Sequence, residues 1–207
     1  MEQNNFLKAK EQGLLAFAFF GGFFFYGLFL ISVIFGKNNN IVLACGLLII
    51  VSFILFLVYA FKSFGLIQSH TNAPVKTLFL RAVLVVAFCF IILLGFVIAN
   101  SDVLESKDMI LLAEFKNNLE KLTLFLFIPV LYAIYLYLRI YYILHKISGE
   151  KLFLIYVHYQ IALSIIGFFA GLFHITIPGL VEIIIGFISV CILYAAWKSV
   201  EKFNKIE

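Results

Sequence analysis

Residues 77–99 read TLFLRAVLVVAFCFIILLGFVIA, a run of apolar side chains broken by one charge, Arg81. A bilayer's hydrocarbon core is about 30 Å thick and takes roughly 20 apolar residues as a helix, so this run is long enough to cross it. A water-exposed helix would alternate polar and apolar faces, and this one is apolar all round. Five further runs resemble it, near residues 13–36, 41–61, 122–144, 152–173 and 179–197. Inside all six stretches only Arg81, Arg139 and Glu182 carry charge. Within hydrocarbon every backbone polar group needs an internal partner, which helices supply segment by segment. The expected fold is therefore all-α, a polytopic transmembrane helix bundle forming one domain over residues 1–207.

Composition agrees with that expectation. Hydrophobic residues make up 64% of the 207, and 26 are Phe, whereas soluble domains are nearer half apolar. The formal charge of +4 does not point to nucleic acid, because the basic residues sit at the ends of apolar stretches instead of forming a patch or arm. The run after residue 12 exceeds a secretory h-region of about 7 to 15 residues and lacks a small-residue exit, so an uncleaved first span is expected. Cys45, Cys89 and Cys191 all lie in apolar stretches without C-x-x-C spacing. They read as soft packing residues, not a disulfide framework.

Charge then sets orientation. With a cytoplasmic N-terminus, six spans place Lys8, Lys10, Lys62, Lys76, Arg81, Arg139, Lys146, Lys151, Lys198, Lys202 and Lys205 on the inner side, 11 of the 15 basic residues. Lys37, Lys107, Lys116 and Lys121 fall outside. Lysine and arginine near span ends are retained in the cytoplasm, so both termini are expected there, in the inner membrane. Short polar turns at 36–40 and 147–150 and a tight reversal at 174–179, with Pro178 suited to a first helical turn, fit antiparallel spans. The one sizeable outer segment, 101–121, has mostly helical spacing of its leucines and reads as an amphipathic connector capped by Asp102 and Glu105.

Polar residues within spans are the candidate site. Glu182 lies four residues after Pro178, roughly 6 Å along a helix, where it meets the outer surface; His174 across the hairpin is a partner for it. A carboxylate at that place is either a proton- or cation-linked site or a hydrogen-bonded interfacial group. Tyr156, Gln160, Ser164, Gly167, Gly171 and His174 recur every three or four residues on one side of the fifth stretch. Glu182, Gly186, Ser189 and Ala196 form a comparable stripe on the sixth. Gly167-Phe168-Phe169-Ala170-Gly171 is a GxxxG pattern that permits close helix contact, within the chain or between copies. Tyr132, Tyr135, Arg139 and Tyr142 share a face of the fourth stretch and read as an anchoring belt. His158, nearly opposite Gln160, is a lone histidine; zinc needs three or four ligands and a b-type haem two facing histidines, so neither metal nor cofactor is expected.

Similar phrases recur in the first and last hairpins: Phe19 to Phe24 beside Phe168 to Phe173, and Ala60-Phe61-Lys62-Ser63 beside Ala196-Trp197-Lys198-Ser199. A parallel repeat would produce them, and so would any aromatic followed by lysine at an inner boundary. In its Lys62-Ser63 exit and its Gly-rich final hairpin through Gly186 and Lys198-Ser199, the chain resembles an uncharacterised prokaryotic family of small five- or six-span integral membrane proteins. The resemblance covers about half the chain and implies neither an activity nor site residues.

No convergent acid, base and nucleophile are evident in the loops, so an enzyme is disfavoured. Two functions remain. One is a non-enzymatic accessory or assembly component whose partners are the lipid bilayer and itself or another membrane subunit. The other is a small oligomeric transporter or channel using Glu182.

Overall fold

A computed structural model describes the backbone of residues 3–34, 39–105, 108–173 and 179–205, and the side chains of 3–22, 47–103, 108–170, 173, 181 and 184–205. Almost all of it is helix: α1 (Gln3–Ile34), α2 (Asn39–Thr71), α3 (Val75–Ala99), α4 (Ser101–Glu105), α5 (Met109–Ser148), α6 (Lys151–Leu172) and α7 (Gly179–Ser199). No strand occurs among the described residues. Among the described residues, four segments are long and apolar enough to cross a membrane: Leu47–Thr71, Val75–Ala99, Met109–Ser148 and Lys151–Ala170.

Helices overrun the apolar stretches at their polar ends. The segment after residue 61, expected on the inner side between two stretches, instead carries α2 on to Thr71, because no proline falls between Lys62 and His70 and the isolated Gly65 is tolerated within a helix. The stop comes at Asn72, whose φ of 59° is left-handed, a conformation that asparagine tolerates better than most residues. Thr71 Oγ1 accepts the Ala73 amide at 3.2 Å, and after Pro74 the chain enters α3 at once. Gly149, with φ 74°, ends α5 in the same way, donating its amide to the His145 carbonyl at 2.8 Å. Glu150 then accepts the Leu152 amide at 3.0 Å and starts α6, satisfying an amide that the first helical turn leaves free.

The chain divides into two compact units, residues 1–76 with 140–207, and residues 77–139. In the second, most of α3 is exposed, with Leu84, Phe88, Phe90 and Ile91 facing outward. Such a surface belongs in lipid, where exposed apolar side chains carry no hydration cost. The amphipathic connector is continuous with the fourth apolar stretch as the single helix α5, through Pro129. Its cap is Asp108, whose carboxylate accepts the Ile110 amide at 2.8 Å, and not Asp102, which lies in the first turn of the separate α4. Phe96 stacks on Phe115 with centroids 5.4 Å apart.

In the first unit, α1 packs along α2 and α7, and α6 along α7. The beginning of α1, the ends of α2, α5 and α7, the start of α6 and the C-terminal tail meet at one place. Phe6 near the N-terminus touches Phe203 in the tail, centroids 5.7 Å apart. The Asn204 amide donates to the Ile147 carbonyl at 2.7 Å, closing one of the last carbonyls of α5.

Candidate functional site

The centre of that convergence is Trp197, 0% exposed. Phe17 stacks on its indole at 6.1 Å, Phe64 lies tilted at 6.3 Å, and Phe153 and Phe203 meet it edge-on at 5.8 and 6.1 Å. Edge-on and offset arrangements are those the ring quadrupole favours. Gly13 makes the cluster possible. A Cβ added there would lie 2.5 Å from the indole, so only a glycine lets the ring rest on the α1 backbone. Ala9 and Ala16, one turn either side, are likewise fully buried. Gly21 repeats the approach farther along, where an added Cβ would sit 3.3 Å from Val190.

Polar contacts tie the same region together. Ser63 Oγ donates to the Ala9 carbonyl at 2.8 Å, and Lys10 Nζ donates to the Val200 carbonyl at 2.7 Å. The first holds α2 against α1; the second holds the tail of α7 against α1. An aromatic followed by lysine reads from sequence as a boundary anchor, yet Trp197 is a core residue and only Lys198 is exposed.

From that core the predicted polar stripe of α6 leads away. Tyr156 is buried and meets Tyr141 edge-on at 4.8 Å. One turn on, Gln160 Nε2 donates to Ser189 Oγ at 2.9 Å, and Ser189 Oγ donates to the Ile185 carbonyl at 3.0 Å. Tyr159 OH reaches the same carbonyl at 3.3 Å. These groups end on a main-chain acceptor, so the arrangement clamps α6 against α7. Ser164 is exposed and returns its hydroxyl to the Gln160 carbonyl of its own helix at 2.9 Å. A Cβ added at Gly167 would meet nothing within 4 Å. Gly186 on α7 is half-buried. Side chains of Glu182, His174 and Gly171 lie outside the described residues.

His158 is exposed, its Nδ1 2.8 Å from the Leu154 carbonyl of its own helix. No group of three or more His, Cys, Asp or Glu able to hold a metal ion occurs among the described residues. Cys89 is buried and Cys191 exposed, both as free thiols. Tyr132, Tyr135 and Tyr142 are all exposed, with Lys146 placed 4.9 Å above the Tyr142 ring, a cation over the negative face of the ring.

No protein-family model, curated protein or solved structure matches the chain. What sequence inspection missed is the Trp197 cluster. Its signal was present as Ala9, Gly13 and Ala16, small residues four and three apart on α1, a quieter form of the pattern seen at Gly167 and Gly171.

Proposed function

We propose that the chain is a six-span protein of the cytoplasmic membrane, with both termini inside, acting as a non-enzymatic accessory or assembly component that docks another membrane subunit. The observation that carries this reading is the open half of α6. Around Gly167, residues Ile165, Ile166, Phe168 and Phe169 are all exposed, and the glycine itself has free space where a side chain would be. In lipid, helix association rests on close packing at small residues, and an unfilled small-residue site flanked by large aromatics suits a partner helix. Within the first unit the chain's own helices fill their small-residue contacts at Gly13 and Gly21 instead.

The orientation is supported by the basic residues at the proposed inner ends and by the Phe6 to Phe203 contact. An even number of crossings brings the two ends of a chain to one side without a long excursion.

Native mass spectrometry of the tagged protein, extracted gently from its own membrane, tests the role. A stoichiometric foreign membrane subunit is the expected result. A homo-oligomer without any partner would instead favour the transport reading, and loss of proton-linked flux in liposomes for Glu182→Gln would then establish it.

A further inference from the structure

Three lysines from three stretches of chain surround one groove in the first unit. Lys8 on α1, Lys62 on α2 and Lys76 at the start of α3 line a cavity of about 600 Å³, together with Glu11, Gln12, Phe61, Gly65 and Leu66. We propose that this groove binds the headgroup of an anionic phospholipid such as a phosphatidylglycerol. The inference rests on membrane residence and is independent of the accessory role.

Depth is the first reason. Lys8 precedes the apolar stretch that starts at residue 13, Lys62 follows the one that ends at residue 61, and Lys76 immediately precedes the one that starts at residue 77. All three therefore lie at the boundary between hydrocarbon and water, where phosphates are. Charge is the second. Three ammonium groups face one carboxylate, Glu11, and none of the three lysines forms an ion pair within 4.0 Å among the described residues. The groove is thus net cationic, with its lysines not neutralised by the protein.

Two of these lysines are held in place. The Lys76 stem runs past Gly65, 3.6 Å from where a Cβ would stand, and its ammonium sits 4.5 Å above the Phe61 ring. Lys62 lies 5.7 Å above Tyr59. Their stems pack on apolar surface while the charges stay at the polar boundary. A phosphodiester supplies the anion, and a zwitterionic choline headgroup brings an offsetting positive charge. Phe61 and Leu66 offer apolar wall for the adjoining acyl ester region. The volume falls within the range of about 300 to 1,000 Å³ typical of small-molecule sites.

The test uses the full chain, delipidated and then titrated in detergent with phosphatidylglycerol, phosphatidylcholine or phosphatidic acid of identical acyl chains, with bound lipid counted by native mass spectrometry. Each lysine at an anionic surface is worth about fivefold in binding, so the triple variant Lys8→Gln, Lys62→Gln, Lys76→Gln is expected to lose on the order of a hundredfold for phosphatidylglycerol. The control Lys146→Gln, Lys151→Gln, Lys198→Gln removes equal charge from exposed positions outside the groove and is expected to keep wild-type binding. Equal losses in both triple variants, equal binding of phosphatidylcholine, or displacement of the lipid by millimolar inorganic phosphate would each overturn the proposal. Should the triple variant fail to fold, judged by the fluorescence of Trp197, Lys62→Gln alone carries the test, with a fivefold loss expected and no loss contradicting it.

Discussion

The two ends of α6 are built from similar residues and behave differently. Near its start, Phe153, Tyr156 and Val157 are buried against an aromatic cluster. Two to three turns later, Ile165, Ile166 and Phe168 are exposed, Phe168 at 57%. Hydrophobicity does not separate them, since both ends are apolar and lipid is as good a solvent for Phe as a protein interior. Shape does. At the first end Gly13 removes a Cβ where the indole of Trp197 needs the space, and carbonyls of α1 and the tail receive Ser63 and Lys10. At the second end the glycine has nothing to meet. In a membrane the folded core is found where small residues and hydrogen bonds coincide, not where apolar residues are densest.

Removing the indole should break the contrast most severely. Trp197→Ala empties the centre of the cluster and is expected to cost about 3–5 kcal/mol, read as a shift in reversible unfolding in mixed micelles followed by helical circular dichroism. Gly13→Ala should cost about 1–3 kcal/mol, because its new Cβ overlaps the indole and either the ring or α1 must move. Wild-type stability for Gly13→Ala would show that α1 and α7 are not in close contact there. Ser63→Ala leaves the Ala9 carbonyl without its second partner and should cost about 1 kcal/mol.

Along α6 the expected effects diminish. Gln160→Leu removes the clamp on Ser189, and interhelical hydrogen bonds in membrane proteins average about 0.6 kcal/mol. Gly167→Leu should change the stability of the isolated protein by less than about 0.5 kcal/mol, as substitutions in open positions do, while eliminating any co-purifying membrane subunit. A large loss of stability there would mean that the open half of α6 is packed within the chain.

Much of this was legible in the sequence. The apolar runs dictate helices, and the tyrosines at 132, 135 and 142 are exposed as their spacing implies. Gln160 and Ser189 were singled out from separate helices and do meet. Helix ends were less legible, since polar residues such as Lys62 to His70 and Met109 to Lys121 are compatible with either helix or loop, and neighbouring turns at Asn72 and Asp108 decided between them. The Trp197 cluster was hidden for a different reason. Its members come from residues as far apart as Gly13 and Phe203, and an aromatic beside a lysine looks the same in sequence whether it anchors at an interface or fills a core. Conversely, the conspicuous glycine pair at 167 and 171 advertises close packing without saying with what.

Site-specific photo-crosslinking in the native membrane tests the contrast most directly. Phe168→p-benzoylphenylalanine places a reactive ring on the open half of α6, and Phe64→p-benzoylphenylalanine places the same ring in the Trp197 cluster. The account predicts a discrete adduct to another membrane protein from position 168 and only intramolecular products from position 64. Lipid adducts alone at 168, or protein adducts from 64, would contradict it.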